Sequence, residues 1–518
     1  MKRLISSFLC IFMLLTMIVG CTTQETPEET IQNNTEINEE INDEVLENKE
    51  VLENKADVVI VGAGLAGITA AIEAVENGAE VIILEQSDVI GGNARYAAGY
   101  ISGAVTSLQE AAGIEDSYDT FYEDLQKLAR GSENLDLEIA RFYADHSGEN
   151  IEWLISRGVE FVPEPHYGVY EPLNVKRVYT VDGGGFSLVE TLLIPFQQYI
   201  DEGKITLLTD TRVTNLIIDD NGVVTGVKDA NGVMYNGKST IIATGGYAAD
   251  KEEMSKLYDN YIVYGPDTTT GDGLRLAKEA NAKIVGMDYC WSYNSAFPHD
   301  PTRLTHLADK NYPGVIWVDI NGQRMIDEFT DDLKSINDTY LNADENIVYF
   351  IISEEMLTDD NPILNVAYGP KDENNKLFFE ELEKGNLVFE GNTPEELAEN
   401  AGINPEQLRK TIDTYNTYVD NGEDADFGRT KELKKLEGKL YAVKTIPYAI
   451  MTYGGIKHNV DAEVLDVNNE PISGLYVAGE AVGNVQLSGE NTCAGSGLGQ
   501  ATLFGRVAGK NAAKNALE

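Results

Sequence analysis

The chain has 518 residues, with 86 Asp and Glu against 39 Lys and Arg, for a formal net charge of −47. That length predicts two domains or more, and that charge excludes nucleic acid and an anionic bilayer surface as electrostatic partners. With four cysteines, five histidines and no C-x-x-C-H, covalent c-type haem is excluded, and no Cys/His cluster has zinc or iron–sulfur spacing, so no metal is expected.

Lys2 and Arg3 precede an apolar run from about Phe8 to Val19, followed by Gly20 and Cys21. The pattern predicts a secretory signal over 1–20. Ile18-Val19-Gly20-Cys21 is similar to a bacterial lipoprotein signal, which makes Cys21 the lipid site. An uncleaved membrane anchor is the alternative, and either one puts the body outside the cytoplasmic membrane. Residues 21–55 are acidic and polar without a sustained apolar period. Such a segment cannot bury enough surface to offset its ordering entropy, so a disordered tether is expected. Cys290 and Cys493 then remain, and a disulfide between them is open outside the cell.

At Ala56 the texture changes. Val58 to Val61 reads as a buried strand, an Ala-rich helix follows, and Val81 to Leu84 reads as a second buried strand ending in Glu85. Between strand and helix, Gly62, Gly64 and Gly67 have G-x-G-x-x-G spacing. The first permits a sharp turn, the second lets main chain approach a pyrophosphate, and the third lets the helix pack on the sheet. The helix N-terminus offers N–H groups and a positive dipole end to phosphate. Glu85 lies roughly 20 residues on, where an acid accepts hydrogen bonds from a ribose hydroxyl. A dinucleotide is expected, and the second glycine turn at Gly91-Gly92-Asn93 favours FAD over NAD. Two later strands agree. Ile241 to Gly246 ends in a Gly pair, and Gly474 to Glu480 puts an acid where a ribityl chain can be hydrogen-bonded.

Helical patterns fill Tyr118 to Arg157, and a helix from Phe186 to Ile200 follows Gly183-Gly184-Gly185. Ile205 to Leu208, Val213 to Ile218 and Val223 to Lys228 read as strands, with Asn221-Gly222 as a hairpin turn. Thr270-Gly271-Asp272-Gly273 opens a helix over Leu274 to Ala280. Val315 to Ile320 is a strand, and two helices start at Pro394 and Pro405. From Pro447 strands and glycine turns return, ending in a helix from about Leu498 to Ala516. The predicted fold is α/β: a Rossmann-like FAD-binding domain in two parts, 56–288 and 438–518, around an inserted α+β capping domain at 289–437.

The segments VVIVGAGLAGITAA, GGNARYAAG, IIATGGY, TGDGLRLAKEA, NGQRMIDE, YGGI, GLYVAGEAVG and LFGRVAGK together resemble, in order and spacing, the soluble fumarate reductase and flavocytochrome c flavoproteins. That superfamily includes urocanate reductases and 3-oxosteroid dehydrogenases. The resemblance covers roughly Ala56 to Lys510. It implies FAD, a mobile cap, and a small organic substrate held between cap and flavin. Carried to matching positions, it implies that Ala63, Gly64, Ala66, Gly67, Glu85, Gln86, Gly92 and Asn93 hold the adenosine and pyrophosphate side. Ala98 and Gly99 would lie along the flavin, Val213 near adenine with Asp272 a further contact, and Ala243, Thr244 and Gly245 near the pyrophosphate. Glu480 would hold the ribityl chain. Gly497 and Leu498, at a helix N-terminus, would face the pyrimidine edge and stabilise negative charge on the reduced ring.

Four departures bear on substrate. Where fumarate reductases place a proton-donating arginine this chain has Asp332. The positions of the residues that clamp a substrate carboxylate hold Met451, Thr492 and Tyr293. A buried dicarboxylate needs cationic partners, so fumarate itself is not expected. Tyr293 is the expected proton-transfer residue, with aromatic packing as the plain alternative. Tyr96, Tyr100 and Tyr453 flank flavin-contact motifs, and His299 and Arg303 sit early in the cap. Core packing for the tyrosines and a solvated loop for the latter pair are the plainer readings. The expected activity is reduction of a C–C double bond beside an activating group in a non-fumarate acceptor, with electrons from a membrane or extracellular donor. A ketosteroid-like dehydrogenase and a non-catalytic flavin-binding lipoprotein are the alternatives.

Overall fold

The computed structural model describes residues 54–518 except 169–172, 264, 297–304, 308–312, 359–361 and 367–374. For 291–296, 305–307, 364–366 and Tyr448 it describes main chain only. The signal, Cys21, the tether to residue 53, His299 and Arg303 lie outside the described residues, as does the side chain of Tyr293.

The first unit is β1 (Lys55–Val61), α1 (Leu65–Glu76) and β2 (Val81–Leu84). Val58, Val59, Ile60 and Val61 are all buried. A strand covered on both faces takes a continuous β-branched run rather than an alternating one. β3 (Tyr100–Ser102) and β4 (Val178–Thr180) make a small antiparallel ladder, with α2 (Tyr118–Ala129) between them in sequence. β5 (Ile205–Leu208), β6 (Val213–Ile218), β7 (Val224–Asp229) and β8 (Met234–Ile242) follow.

A second sheet contains β9 (Cys290–Ala296), β10 (Ile316–Val318), β11 (Val348–Ser353), β12 (Val388–Gly391) and β13 (Leu440–Thr452). Helix α3 (Leu333–Asn342) lies between β10 and β11 in sequence. β13 pairs antiparallel with β9, β11 and β12, and in parallel with the short strand Ile262–Val263. The sequence places a strand only from Pro447, but the observed one starts at Leu440 and crosses the 437/438 boundary. The chain then returns to the first sheet through β14 (Glu463–Leu465) and β15 (Pro471–Val477), and ends in α4 (Ser496–Leu517). The first sheet has the order β14-β15-β8-β1-β2-β5, with β7 and β6 branching from β8. Its run from β15 to β5 is parallel. This puts the carboxyl ends of β1, β2 and β8 side by side, where open α/β sheets bind ligands.

The first sheet is covered by a cluster on each face, one of which takes in Cys290 of β9 and Ala449 of β13, and the second sheet has a core of its own. Under the second, Trp317 stacks on Phe350 with ring centroids 4.4 Å apart. Beside them lies a buried ionic cluster. Glu328 accepts hydrogen bonds from Trp317 N (3.1 Å), Arg324 Nε (2.7 Å) and Arg429 Nη1 (2.9 Å). Arg429 also donates to the carbonyls of Val315, Lys431 and Glu432. Asp424 pairs with Arg324, and neither Arg429 nor Glu328 exposes any side-chain surface. Under the first sheet a comparable cluster sets Arg177 between Asp116 and Asp124. Cys290 and Cys493 are both buried, and no disulfide joins them.

His458 gives the fold a pH dependence. Its Nδ1–H donates to Asn459 O (2.8 Å), while Nε2 is buried without a partner and the ring meets Phe504 edge-on. Burial lowers its pKa from 6.5 to about 4. Between those values the unfolded chain binds a proton that the folded chain refuses. Stability is therefore full above about pH 6.5 and falls as pH drops toward 4, by roughly 3 kcal/mol from this residue. Urea titrations at pH 7 and pH 4.5 should show the loss, and His458→Leu should remove most of it. An unchanged slope in that variant would contradict this account.

Candidate functional site

A cavity of about 680 Å³ lies over the carboxyl ends of β1, β2 and β8. Its floor is Gly62, Gly64, Leu65 and Ala66. No atom lies within 4 Å of where a Cβ on Gly64 would stand, so bare main chain faces the cavity there. Leu65 and Ala66 open α1, and first-turn N–H groups have no acceptor within the helix. Ala243, Thr244 and Gly245, which follow β8, line the same stretch, with Gly92 and Asn93 across from them.

Glu85, Gln86, Val213 and Asp272 line one end. Glu85 accepts from Ala63 N–H through Oε2 (2.8 Å) and from Ser87 N–H through Oε1 (2.9 Å), which fixes its rotamer. Gln86 Nε2 donates to Thr268 O (2.6 Å) and ties in a loop that sequence reasoning missed. Burial pushes the Asp272 carboxyl up, but hydrogen bonds from Arg212 and Arg275 outweigh it and hold the group below the usual range.

At the other end, Asn93, Ala98, Met451, Glu480, Gly497 and Leu498 converge. Glu480 accepts from Thr452 N–H (2.8 Å) and Thr452 Oγ1–H (3.1 Å), while Asn93 Nδ2 donates to its other oxygen (3.3 Å). Burial nevertheless raises the Glu480 pKa. Gly497 and Leu498 begin α4, and a Cβ on Gly497 would lie 3.3 Å from Met451 Sδ, so the thioether sits over that helix terminus.

Three expected contacts lie behind the wall. The Ala63 N–H is spent on Glu85, Gly67 packs on Gly62, and Gly99 packs on Gly184. Tyr96 and Tyr100 do line the cavity, but Tyr453 does not: it is fully buried and packs edge-on to Tyr289. Met451 and Thr492 line the cavity. Asp332 instead caps α3 and pairs with Arg130 at 3.0 Å. Tyr293 stands opposite Tyr448 in the β9–β13 ladder, and Trp291 opposite Met451. Arg212 is a lining residue that sequence reasoning missed, although it directly precedes Val213. Among the described residues, no group of His, Cys, Asp and Glu is arranged to hold a metal.

A bare glycine floor, two helix N-termini on one cavity and an acid at the end of β2 fit a dinucleotide that spans the cavity. The fold and cavity are those of a dinucleotide-dependent flavoprotein. The chain belongs to the FAD_binding_2 family (FAD binding domain), whose model matches residues 57–498. It is an FAD-dependent oxidoreductase. It is 30% identical over 472 residues to a probable fumarate reductase of Shewanella frigidimarina (strain NCIMB 400), covering 89% of this chain and 75% of that one. It is 30% identical over 495 residues to the vinyl phenol reductase of Lactiplantibacillus plantarum (strain ATCC BAA-793 / NCIMB 8826 / WCFS1), covering 88% and 96%. Among solved structures, the open conformation of a flavocytochrome c3 fumarate reductase superposes with a TM-score of 0.69 at 28% identity, over 95% of this chain and 83% of that one.

Proposed function

We propose that FAD lies along this cavity and that the protein reduces a C–C double bond beside an activating group in an uncharged acceptor. In this reading the pyrophosphate rests on Gly62, Gly64, Ala66 and Thr244 to Gly245. Glu85, Gln86, Val213 and Asp272 hold the adenosine, Glu480 the ribityl chain, and Ala98, Gly497 and Leu498 the ring. Bound FAD supplies the hydride. The residues around it exclude water, orient the acceptor and supply a proton, for which Tyr293 is the candidate.

The observation that carries the substrate reading is the state of the cations. Among the described lining residues these are Arg95 and Arg212, and each is committed to a carboxylate, Glu190 (2.8 Å) and Asp272 (2.8 Å) respectively. Met451 and Thr492 line the end nearest Gly497, and neither can balance the charge of a dicarboxylate. The similarity to a vinyl phenol reductase along nearly all of that enzyme supports an uncharged acceptor.

The test is anaerobic. The body is loaded with FAD, reduced with dithionite and mixed with 4-vinylphenol, acrylate, urocanate or fumarate. Flavin reoxidation by 4-vinylphenol should exceed that by fumarate at least tenfold. Faster reoxidation by fumarate would overturn the substrate reading. Bleaching of the oxidised protein by a ketosteroid would favour a dehydrogenase, and inertness to every compound a non-catalytic carrier. We propose further that lipid on Cys21 holds the protein outside the cytoplasmic membrane, beside a membrane electron donor. Labelled palmitate should enter the wild-type chain and not Cys21→Ser.

A further inference from the structure

The cavity end beside Met451 holds a polar group that nothing else in the site employs. There Ile450, Met451 and Thr452, from the end of β13, meet Tyr96 to Ala98, Tyr100 and Thr492 to Gly495. Most protic side chains in this region are engaged. The Thr452 hydroxyl donates to Glu480 (3.1 Å). Asn484 is held between Ser488 and Ser496, both at 3.1 Å. The Cys493 thiol faces Ser102 and the Ala494 carbonyl, and burial pushes it up to about 12. Tyr96 is half exposed to solvent. The Thr492 hydroxyl has no partner but is sealed from solvent, and Tyr100 differs from all of these. It lines the cavity and is half-buried, yet its hydroxyl has no hydrogen-bond partner among the described residues. Nor is that oxygen among the side-chain atoms sealed from solvent.

The Tyr100 ring is also held. In the β3–β4 ladder Tyr100 stands opposite Thr180, and His166 bridges to Val178 next to it. His166 Nδ1 accepts from Gly168 N–H (3.2 Å), so the neutral ring carries its proton on Nε2 and donates to Thr180 Oγ1 (3.3 Å). Burial lowers the His166 pKa. Fixed at both nitrogens, the imidazole meets the Tyr100 ring at 5.1 Å between centroids and 72° between planes, the favoured edge-to-face arrangement.

Resting on the reading of the cavity as an FAD and acceptor site, we propose that Tyr100 is a catalytic residue whose phenol O–H hydrogen-bonds the oxygen of the acceptor's activating group, and that His166 is the positioning residue that sets its ring. When hydride joins the far carbon of the double bond, the π pair moves toward that oxygen as negative charge. The Tyr100 O–H stabilises this charge and keeps its own proton. A separate proton then closes the C–H bond at the near carbon, and the electron pair returns from oxygen. A donor aimed at developing charge in a water-poor site is worth about 10²–10³ in rate. The recognised class is an acceptor with a carbonyl oxygen conjugated to the alkene, such as an enone or an unsaturated ester.

The experiment uses FAD-loaded protein and 4-hydroxybenzaldehyde, whose phenolate mimics the charged oxygen and absorbs in the near ultraviolet. Oxidised wild type should bind the phenolate form and lower the probe's apparent pKa by about one unit, a tenfold preference. Tyr100→Phe should lose that preference with its flavin spectrum unchanged. His166→Ala should lose part of it, and His166→Phe, which keeps a ring edge there, should recover it. Equal phenolate binding by Tyr100→Phe, or no phenolate binding by wild type, would overturn the proposal and leave the FAD reading standing. A protein that takes up no FAD would overturn both.

Discussion

Gly67→Ala should give a colourless protein. A Cβ at this position would stand 1.9 Å from the carbonyl oxygen of Gly62, far inside contact distance, and main chain cannot yield as a flexible side chain does. To relieve the clash, α1 must lift from β1. But Ile68, Ala71 and Ile72 of α1 are fully buried, so the helix has nowhere to go without opening the core. Overpacking of this severity costs at least about 3 kcal/mol. It also displaces the Gly62–Ala66 floor on which the cofactor lies. Flavin retained on purification and the melting temperature should both fall. The control is Gly64→Ala, whose added methyl meets open space in the protein alone. That variant should fold with an unchanged melting temperature when free of flavin, and still bind FAD at least tenfold more weakly. A yellow Gly67→Ala protein with wild-type stability would contradict the geometry.

Arg429→Met should unfold the second core while sparing the first. The change removes the charge that faces Glu328 and strands the carbonyls of Val315, Lys431 and Glu432. Breaking a buried pair from one side costs about 3–5 kcal/mol, because an uncompensated charge stays behind. Arg324 still reaches Glu328, which places the expected loss at the lower end of that range. Hydrogen exchange should accelerate over β10, β11 and β13, while β1, β2 and β8 keep their protection. Uniform protection across both sheets would show that the cluster contributes little.

Sequence reading reached the parts of this molecule that are encoded locally. The strand at 81–84, the strands at 205–208 and 213–218, and the turn at Asn221-Gly222 appear where periodicity and turn chemistry place them. The same holds for much of the cavity, because glycine spacing and an acid at a strand end are short-range signals. It did not reach what long-range packing decides. β13 was legible only from Pro447, since its first half, although Gly438 precedes it, is held by neighbours that lie far off in sequence. Ala63, expected on the adenosine and pyrophosphate side, has its N–H taken by the Glu85 carboxylate, 22 residues on. Nothing local distinguishes Tyr100 from a packing tyrosine. Its open hydroxyl and its contact with His166 arise because β3 and β4, more than seventy residues apart, lie side by side.

β13 is a thirteen-residue strand with its beginning among β11 and β12 and its end in the cavity wall at Ile450, Met451 and Thr452, and its ladder with β9 carries two register shifts, one of them beside Met451. Successive side chains of a strand alternate between faces, so a one-residue slip turns every one of them over. An insertion or deletion near Leu440 would therefore be transmitted along the strand as far as the register shifts opposite β9, and where those did not absorb it the thioether at the substrate end would give way to a neighbour's side chain. Drift in acceptor preference among descendants of this chain should trace to indels in that segment as readily as to point changes in the pocket.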